Sequence, residues 1–173
     1  MASVLVIDDE RSIRETLALI LDDAGYEVQL ASSLSEARAL IGGARPPEVV
    51  ITDLVMPEAS GLEVLDEVKA CCAGAKVILI TGHPSVDTAA EALRRGASDY
   101  LEKPVRAQVV LRAVASAAKI SRLEQDNARY QERLEALVDE RTSQLEASEA
   151  RFRALVDGSP VGIFEHQRGK LSY

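Results

Sequence analysis

The chain alternates short aliphatic runs with helical repeats five times over, and that alternation leaves few folds open to it. The runs are Val4-Leu5-Val6-Ile7, Val28-Gln29-Leu30, Val49-Val50-Ile51, Val77-Ile78-Leu79-Ile80 and a weaker Asp99-Tyr100-Leu101. Runs of this length and branching read as strands. Between them apolar residues recur every three or four positions, as a helix with one buried face requires. Ile13, Leu17, Ile20, Leu21 and Ala24 form the first stripe, which Gly25 ends. Val86, Ala89, Ala90 and Leu93 form another, and Val105, Val109, Ala113 and Val114 the fifth. Ser33-Leu34-Ser35-Glu36 and Ser60-Gly61-Leu62-Glu63 have capping-box spacing and so start helices. Strand–helix–strand units with right-handed crossovers build a parallel sheet covered on both faces. The expectation is an α/β fold: a five-stranded, doubly wound parallel sheet over residues 1–118, followed by a long C-terminal helix.

Composition narrows the function. Hydrophobic residues make up 47% of the chain and aromatics only 3%, so the core is large enough and aliphatic. A net charge of -8 argues against a domain-wide grip on nucleic acid or on an anionic membrane. No apolar run approaches the ~20 residues that span a bilayer. The start, MASVLVIDDE, has no basic region ahead of a long apolar stretch, as a secretory signal would. The adjacent Cys71 and Cys72 offer neither a disulfide framework nor a metal-ligand spacing; one is expected packed and one exposed. The expected setting is the reducing cytoplasm.

Polar groups fall where such a fold places its ligands, beyond the carboxyl ends of the strands. The first strand runs into Asp8-Asp9-Glu10, the third ends Thr52-Asp53, the fourth Thr81-Gly82 and the fifth Glu102-Lys103-Pro104. Any one of these reads equally well as a loop residue or a helix cap; their convergence on one edge does not. Carboxylates drawn together repel unless a cation sits among them. An all-oxygen set with no His or Cys nearby favours Mg²⁺. A carboxylate can attack phosphorus to form an aspartyl phosphate, with Mg²⁺ and Lys103 neutralising charge on the transferred group and Thr81 donating to it.

Asp8-Asp9, Asp53 followed by Leu-Val-Met56-Pro57, Thr81-Gly82 and Lys103-Pro104, in this order and spacing, resemble the receiver domain of two-component response regulators over about residues 1–118. The resemblance implies a flavodoxin-like strand order, 2-1-3-4-5. It implies that Asp53 is the phosphoacceptor, phosphorylated from a histidine kinase or a phosphotransfer protein. It implies direct Mg²⁺ binding by Asp9, Asp53 and the Val55 carbonyl, and by Asp8 through water. Lys103 would pair with the phosphoryl group, and its bond to Pro104 would be cis. Thr81 and Tyr100 match the switch pair. Val55 and His83 occupy positions that tune dephosphorylation in this family; Val55 cannot orient a water, and His83 either does so or is simply solvated.

From Val105 the helical pattern continues to about residue 156 without Gly or Pro. Ile120, Leu123, Asn127, Tyr130, Leu134 and Leu137 step by three and four, as a and d positions of a coiled coil do. Strict heptads then fail at Arg141 and Gln144 and recover at Leu145, Ser148, Phe152 and Leu155, the mark of a stutter. A solvated single helix is the alternative; the narrow seam favours a parallel homodimer. From about Glu149 the sequence resembles the opening helix and first hairpin of a PAS sensor domain. The expected organisation is a receiver (1–118), a coiled-coil signalling helix (119–156) and the start of a truncated PAS domain (157–173).

The function expected is that of a phosphoacceptor module that switches a coiled-coil dimer linked to a PAS or output region, in a hybrid sensor histidine kinase or multidomain regulator. The chain itself holds no independent catalytic domain. Two rivals are a metal-dependent phosphohydrolase turning over through Asp53, and a phosphorylation-independent dimerisation scaffold. Val55 stands against the first, where an acid/base carboxylate would be needed, and the intact set of Asp8, Asp9, Asp53, Thr81 and Lys103 against the second.

Overall fold

The structure, a computed structural model, describes residues 2–43, 45–72 and 74–157. In chain order the elements are β1 (Ser3–Ile7), α1 (Arg11–Asp23), β2 (Glu27–Ala31), α2 (Leu34–Ile41), β3 (Val49–Asp53), α3 (Gly61–Cys71), β4 (Lys76–Thr81), α4 (Val86–Arg94), β5 (Asp99–Glu102) and α5 (Ala107–Asp157). The five strands form one parallel sheet in the order β2-β1-β3-β4-β5. This is the expected topology, with the long C-terminal helix.

The near-continuous apolar strands bury both faces. Val4, Val6, Ile51, Ile78 and Ile80 pack against Leu17 and Leu21 of α1 and Val110, Val114 and Ala117 of α5. Their neighbours Leu5, Ile7, Val50, Val77 and Leu79 pack on the opposite face against Ala37 and Ile41 of α2, Val64, Leu65 and Val68 of α3, and Ala92 of α4. Successive strand residues point to opposite faces, so a run with no polar alternation is what two covering layers demand.

Helix ends follow from local chemistry. Gly25 adopts φ 82°, and the amides of Gly25 and Tyr26 return to the carbonyls of Asp22 and Leu21. This left-handed stop ends α1, and a side chain there would be strained. At α3 the capping box is complete: Ser60 Oγ accepts from the helix, and the Glu63 carboxylate accepts from the Ser60 amide at 2.7 Å. At α2 it is half formed. Ser33 Oγ accepts from the Glu36 amide, but the Glu36 carboxylate reaches one residue further back, to the amide and hydroxyl of Ser32.

The chain divides into two units, residues 1–127 and 128–173. The first therefore runs past residue 118, where the sequence pattern placed a boundary. In the first unit Ile120, Leu123 and Asn127 are exposed, and in the second so are Tyr130, Leu134, Leu137, Leu145, Phe152 and Leu155. The hairpin expected near the C-terminus lies outside the described residues. No helix among the described residues is long and apolar enough to cross a membrane.

Candidate functional site

Strand register brings the polar groups together. Ile7 pairs with Thr52, so Asp8 follows β1 level with Asp53, the last residue of β3. Asp53 pairs with Ile80, and Thr81 with Glu102, so Thr81 and then Lys103 come next along the same edge. The peptide bond between Lys103 and Pro104 is cis.

The ammonium of Lys103 is the centre of the arrangement. Its Nζ donates to Asp53 Oδ2 at 2.6 Å and to Asp8 Oδ2 at 2.9 Å, and lies 3.7 Å from Glu10 Oε1. The other oxygens are held by the backbone: Asp8 Oδ1 accepts from the Glu10 amide at 2.8 Å, and Asp53 Oδ1 from the Val55 amide at 3.1 Å. Asp8 and Asp53 are buried, at 2% and 7% exposure. Burial pushes the Asp8 carboxyl above its ordinary range, against the pull of Lys103 and the Glu10 amide. Burial also works to lower Lys103, but its hydrogen bonds to Asp53 and Asp8 outweigh that and hold the ammonium above the usual lysine range.

Carboxylate oxygens of Asp8, Glu10 and Asp53 lie within 4.8 Å of one another. Three carboxylates around one ammonium leave an excess of negative charge, and all the donors are oxygen. That set fits Mg²⁺ rather than a softer ion.

The expected residues fall into two groups. Asp8, Asp53 and Lys103 are in direct contact. Thr81 is fully buried on the same edge, and its Oγ1 accepts from the His83 amide at 3.2 Å. Asp9 and Glu10 are both exposed, and the carboxylate that groups with those of Asp8 and Asp53 is that of Glu10. Val55 is 65% exposed and contributes its amide to Asp53. His83 is exposed. Tyr100, partly buried, turns its hydroxyl to Thr88 Oγ1 of α4 at 2.8 Å. Sequence reasoning passed over Glu10 and Arg14. The Arg14 guanidinium binds the carbonyls of Asp8 and Asp9 and so secures the turn that carries the acids. Glu10 was signalled only by its place in an acidic run, and Arg14 by nothing beyond its position in the first turn of a helix.

Comparison with known proteins agrees with this geometry. The family described as response regulator receiver domain matches residues 4–115. The transcriptional regulatory protein FixJ of Azorhizobium caulinodans is 41% identical over 113 residues, which are 64% of this chain and 52% of FixJ. A crystal structure of a response regulator receiver domain protein from Clostridium thermocellum superposes with a TM-score of 0.67 at 40% identity, covering 71% of this chain and 98% of that one. A response regulator from Burkholderia pseudomallei, solved with a phosphorylated aspartic acid, calcium ion and citrate, gives a TM-score of 0.63 at 33% identity, covering 72% of this chain and 73% of that one. The chain spans 32%, 62% and 27% of the length of three further curated relatives, so it shares one module with longer proteins. A five-stranded parallel sheet of order 2-1-3-4-5 and a family match over residues 4–115 lead to one conclusion: the chain belongs to the response regulator receiver domain family.

Proposed function

We propose that this chain is the phosphoacceptor module of a two-component relay and that Asp53 takes a phosphoryl group from a phospho-histidine donor. The observation that carries this reading is the single ammonium of Lys103 set against the buried carboxylates of both Asp53 and Asp8. Asp53 is anchored through Oδ1 by the Val55 amide, so its carboxylate is held at a fixed place on the sheet edge. The carboxylate is the nucleophile toward phosphorus, and the donor imidazole leaves. As an acyl phosphate forms, negative charge moves out to the phosphoryl oxygens. Lys103 stays paired with it, and the Thr81 hydroxyl donates to it. Asp8, Asp9 and Asp53, with the Val55 carbonyl and with Glu10 adjoining, would hold Mg²⁺, which neutralises charge on the transferring group when bound. Tyr100 on β5 pairs with Leu79, two residues before Thr81 on β4, so a Thr81 drawn toward phosphate changes the packing that Tyr100 shares with α4. Val55 has no group to orient an attacking water, and His83 is the residue left to tune dephosphorylation.

The downstream part of the reading is a parallel homodimer through about residues 118–155, leading to a PAS or output region. The exposed apolar residues at three- and four-residue spacing support it, because a lone helix in water gains nothing from them.

Acetyl phosphate tests the chemistry. With Mg²⁺ the chain should gain one acid-stable, base-labile phosphoryl group, and Asp53→Asn should abolish it. Full labelling of Asp53→Asn would place the acceptor elsewhere.

A further inference from the structure

The last receiver turns of α5 carry two faces at once. On one side Ala117, Ala118 and Ser121 are buried. Ser121 Oγ donates to the Gly74 carbonyl at 2.6 Å and accepts from Gln125 Nε2 at 3.2 Å. Arg122 Nε pairs with Glu48 at 3.0 Å, and Glu124 with Lys76 Nζ at 2.6 Å. Each ionic partner on the sheet opens a strand whose far end carries a site residue. Glu48 immediately precedes β3, which ends at Asp53; Lys76 begins β4, which ends at Thr81. On the other side Ile120 and Leu123 are 43% and 59% exposed. At 3.6 residues per turn the two faces lie roughly 130° apart around the helix.

We propose that the contact between two copies of this chain begins on these receiver turns, at Ile120 and Leu123, and that Ser121, Arg122 and Glu124 fix the rotational phase at which the copies meet. This rests on the dimer reading above and deepens it. The occupant is a second copy of the chain for three reasons. A narrow stripe at three- and four-residue spacing fits a helix of the same spacing rather than a broad groove. Asn127, at an a position, finds its amide partner in the same residue of a copy in register. Lys119 and Glu124 hold the g and e positions beside the stripe, and opposite charges there are what parallel copies in register pair. Glu124 then touches both the start of β4 and the flank of the dimer, so one carboxylate joins the sheet to the seam.

The test uses the chain of residues 1–173. Sedimentation should show a wild-type dimer, and Leu123→Lys should weaken it by about tenfold or more, because an ammonium would enter the seam. Arg122→Gln/Ser121→Val/Glu124→Gln lies off the a and d positions; it removes only the Glu124 flank pairs from the dimer and should weaken it less than about fivefold, as loss of exposed ion pairs does. A nitroxide on the exposed native Cys71, in a Cys72→Ala background, should give one narrow label-to-label distance in the wild-type dimer and a broadened one in the triple variant. Should the triple variant unfold, Arg122→Gln/Glu124→Gln provides the same readout. An unbroadened distance would overturn the role in phase. A dimer that resists Leu123→Lys yet dissociates with Leu134→Asp would overturn the receiver as its starting point while leaving the dimer reading intact. A monomeric wild type would overturn both.

Discussion

Lys103 is the counter-ion on which the acidic edge depends. Asp8 and Asp53 are almost withdrawn from water, and the lysine side chain is itself only 14% exposed, so solvent does little to screen the three groups. Removing the ammonium leaves two buried carboxylates facing each other. Lys103→Met should lower stability by about 3 kcal/mol in EDTA, and added Mg²⁺ should recover more stability for the variant than for the wild type. Urea unfolding with and without Mg²⁺ checks both; a variant as stable as the wild type in EDTA would contradict the pairing. The sign with pH follows from the raised lysine pKa. The Lys103 contribution is fully present below the ordinary lysine value and is lost only as pH climbs through the folded one. The cysteines part company in the same local way. Cys71 is exposed, whereas Cys72 bonds the Ile41 carbonyl at 3.1 Å, and burial, then the neighbouring Cys71, raises its thiol pKa. Iodoacetamide near pH 8 should therefore modify Cys71 first, by at least about severalfold, as mass spectrometry would show; equal rates would contradict it. At this scale Asp8, Asp53, Thr81 and Lys103 were readable because each ends or follows a strand. Glu10 was not, because which acid of Asp8-Asp9-Glu10 comes nearest Lys103 beside Asp8 depends on the backbone path from β1 into α1.

The elements themselves were readable wherever one local signal had no competitor. Gly25 stops α1 because only a residue tolerant of a left-handed backbone fits there. The serine and glutamate at the start of α3 form the reciprocal cap their spacing predicts, while at α2 a second serine, Ser32, captures the glutamate first. Spacing alone does not distinguish those outcomes. Nor does it show why position 61 is glycine. A Cβ on Gly61 would overlap the Asp53 carbonyl oxygen and lie 2.9 Å from Leu54 Cα, both of them backbone that cannot swing aside. Helix α3 thus starts in direct contact with the strand end that carries Asp53. Gly61→Ala should cost about 2–4 kcal/mol and slow labelling of Asp53 by acetyl phosphate. Gly82→Ala is the control, since its Cβ would meet nothing within 4 Å. Equal stability of the two variants would refute the close approach.

Across the whole chain, the sheet order and both covering layers follow from where apolar runs and stripes fall, but the extent of the first unit does not. A boundary near residue 118 was expected because the heptad pattern takes over there. The unit runs to residue 127 because Ser121, Arg122 and Glu124 are bound to the sheet edge by polar contacts that leave no hydrophobic period to read. The helix beyond carries charge and an apolar seam but no phosphate-handling group. The chain's only histidines are His83, in the loop after β4, and His166, so α5 contains none. Autophosphorylation from ATP by a histidine kinase needs a histidine on a dimeric helix and an ATP-binding domain to serve it. The chain has no Gly-rich phosphate loop of the GxxxxGK type. On the proposed reading the helix passes on a conformational state, and it carries no histidine that could become phosphohistidine. With γ-labelled ATP and Mg²⁺ the purified chain should therefore stay unlabelled. A supplied phospho-histidine donor protein should label the wild type and leave Asp53→Asn blank. Label taken directly from ATP and retained in Asp53→Asn would mean that the chain carries a kinase activity none of these residues accounts for.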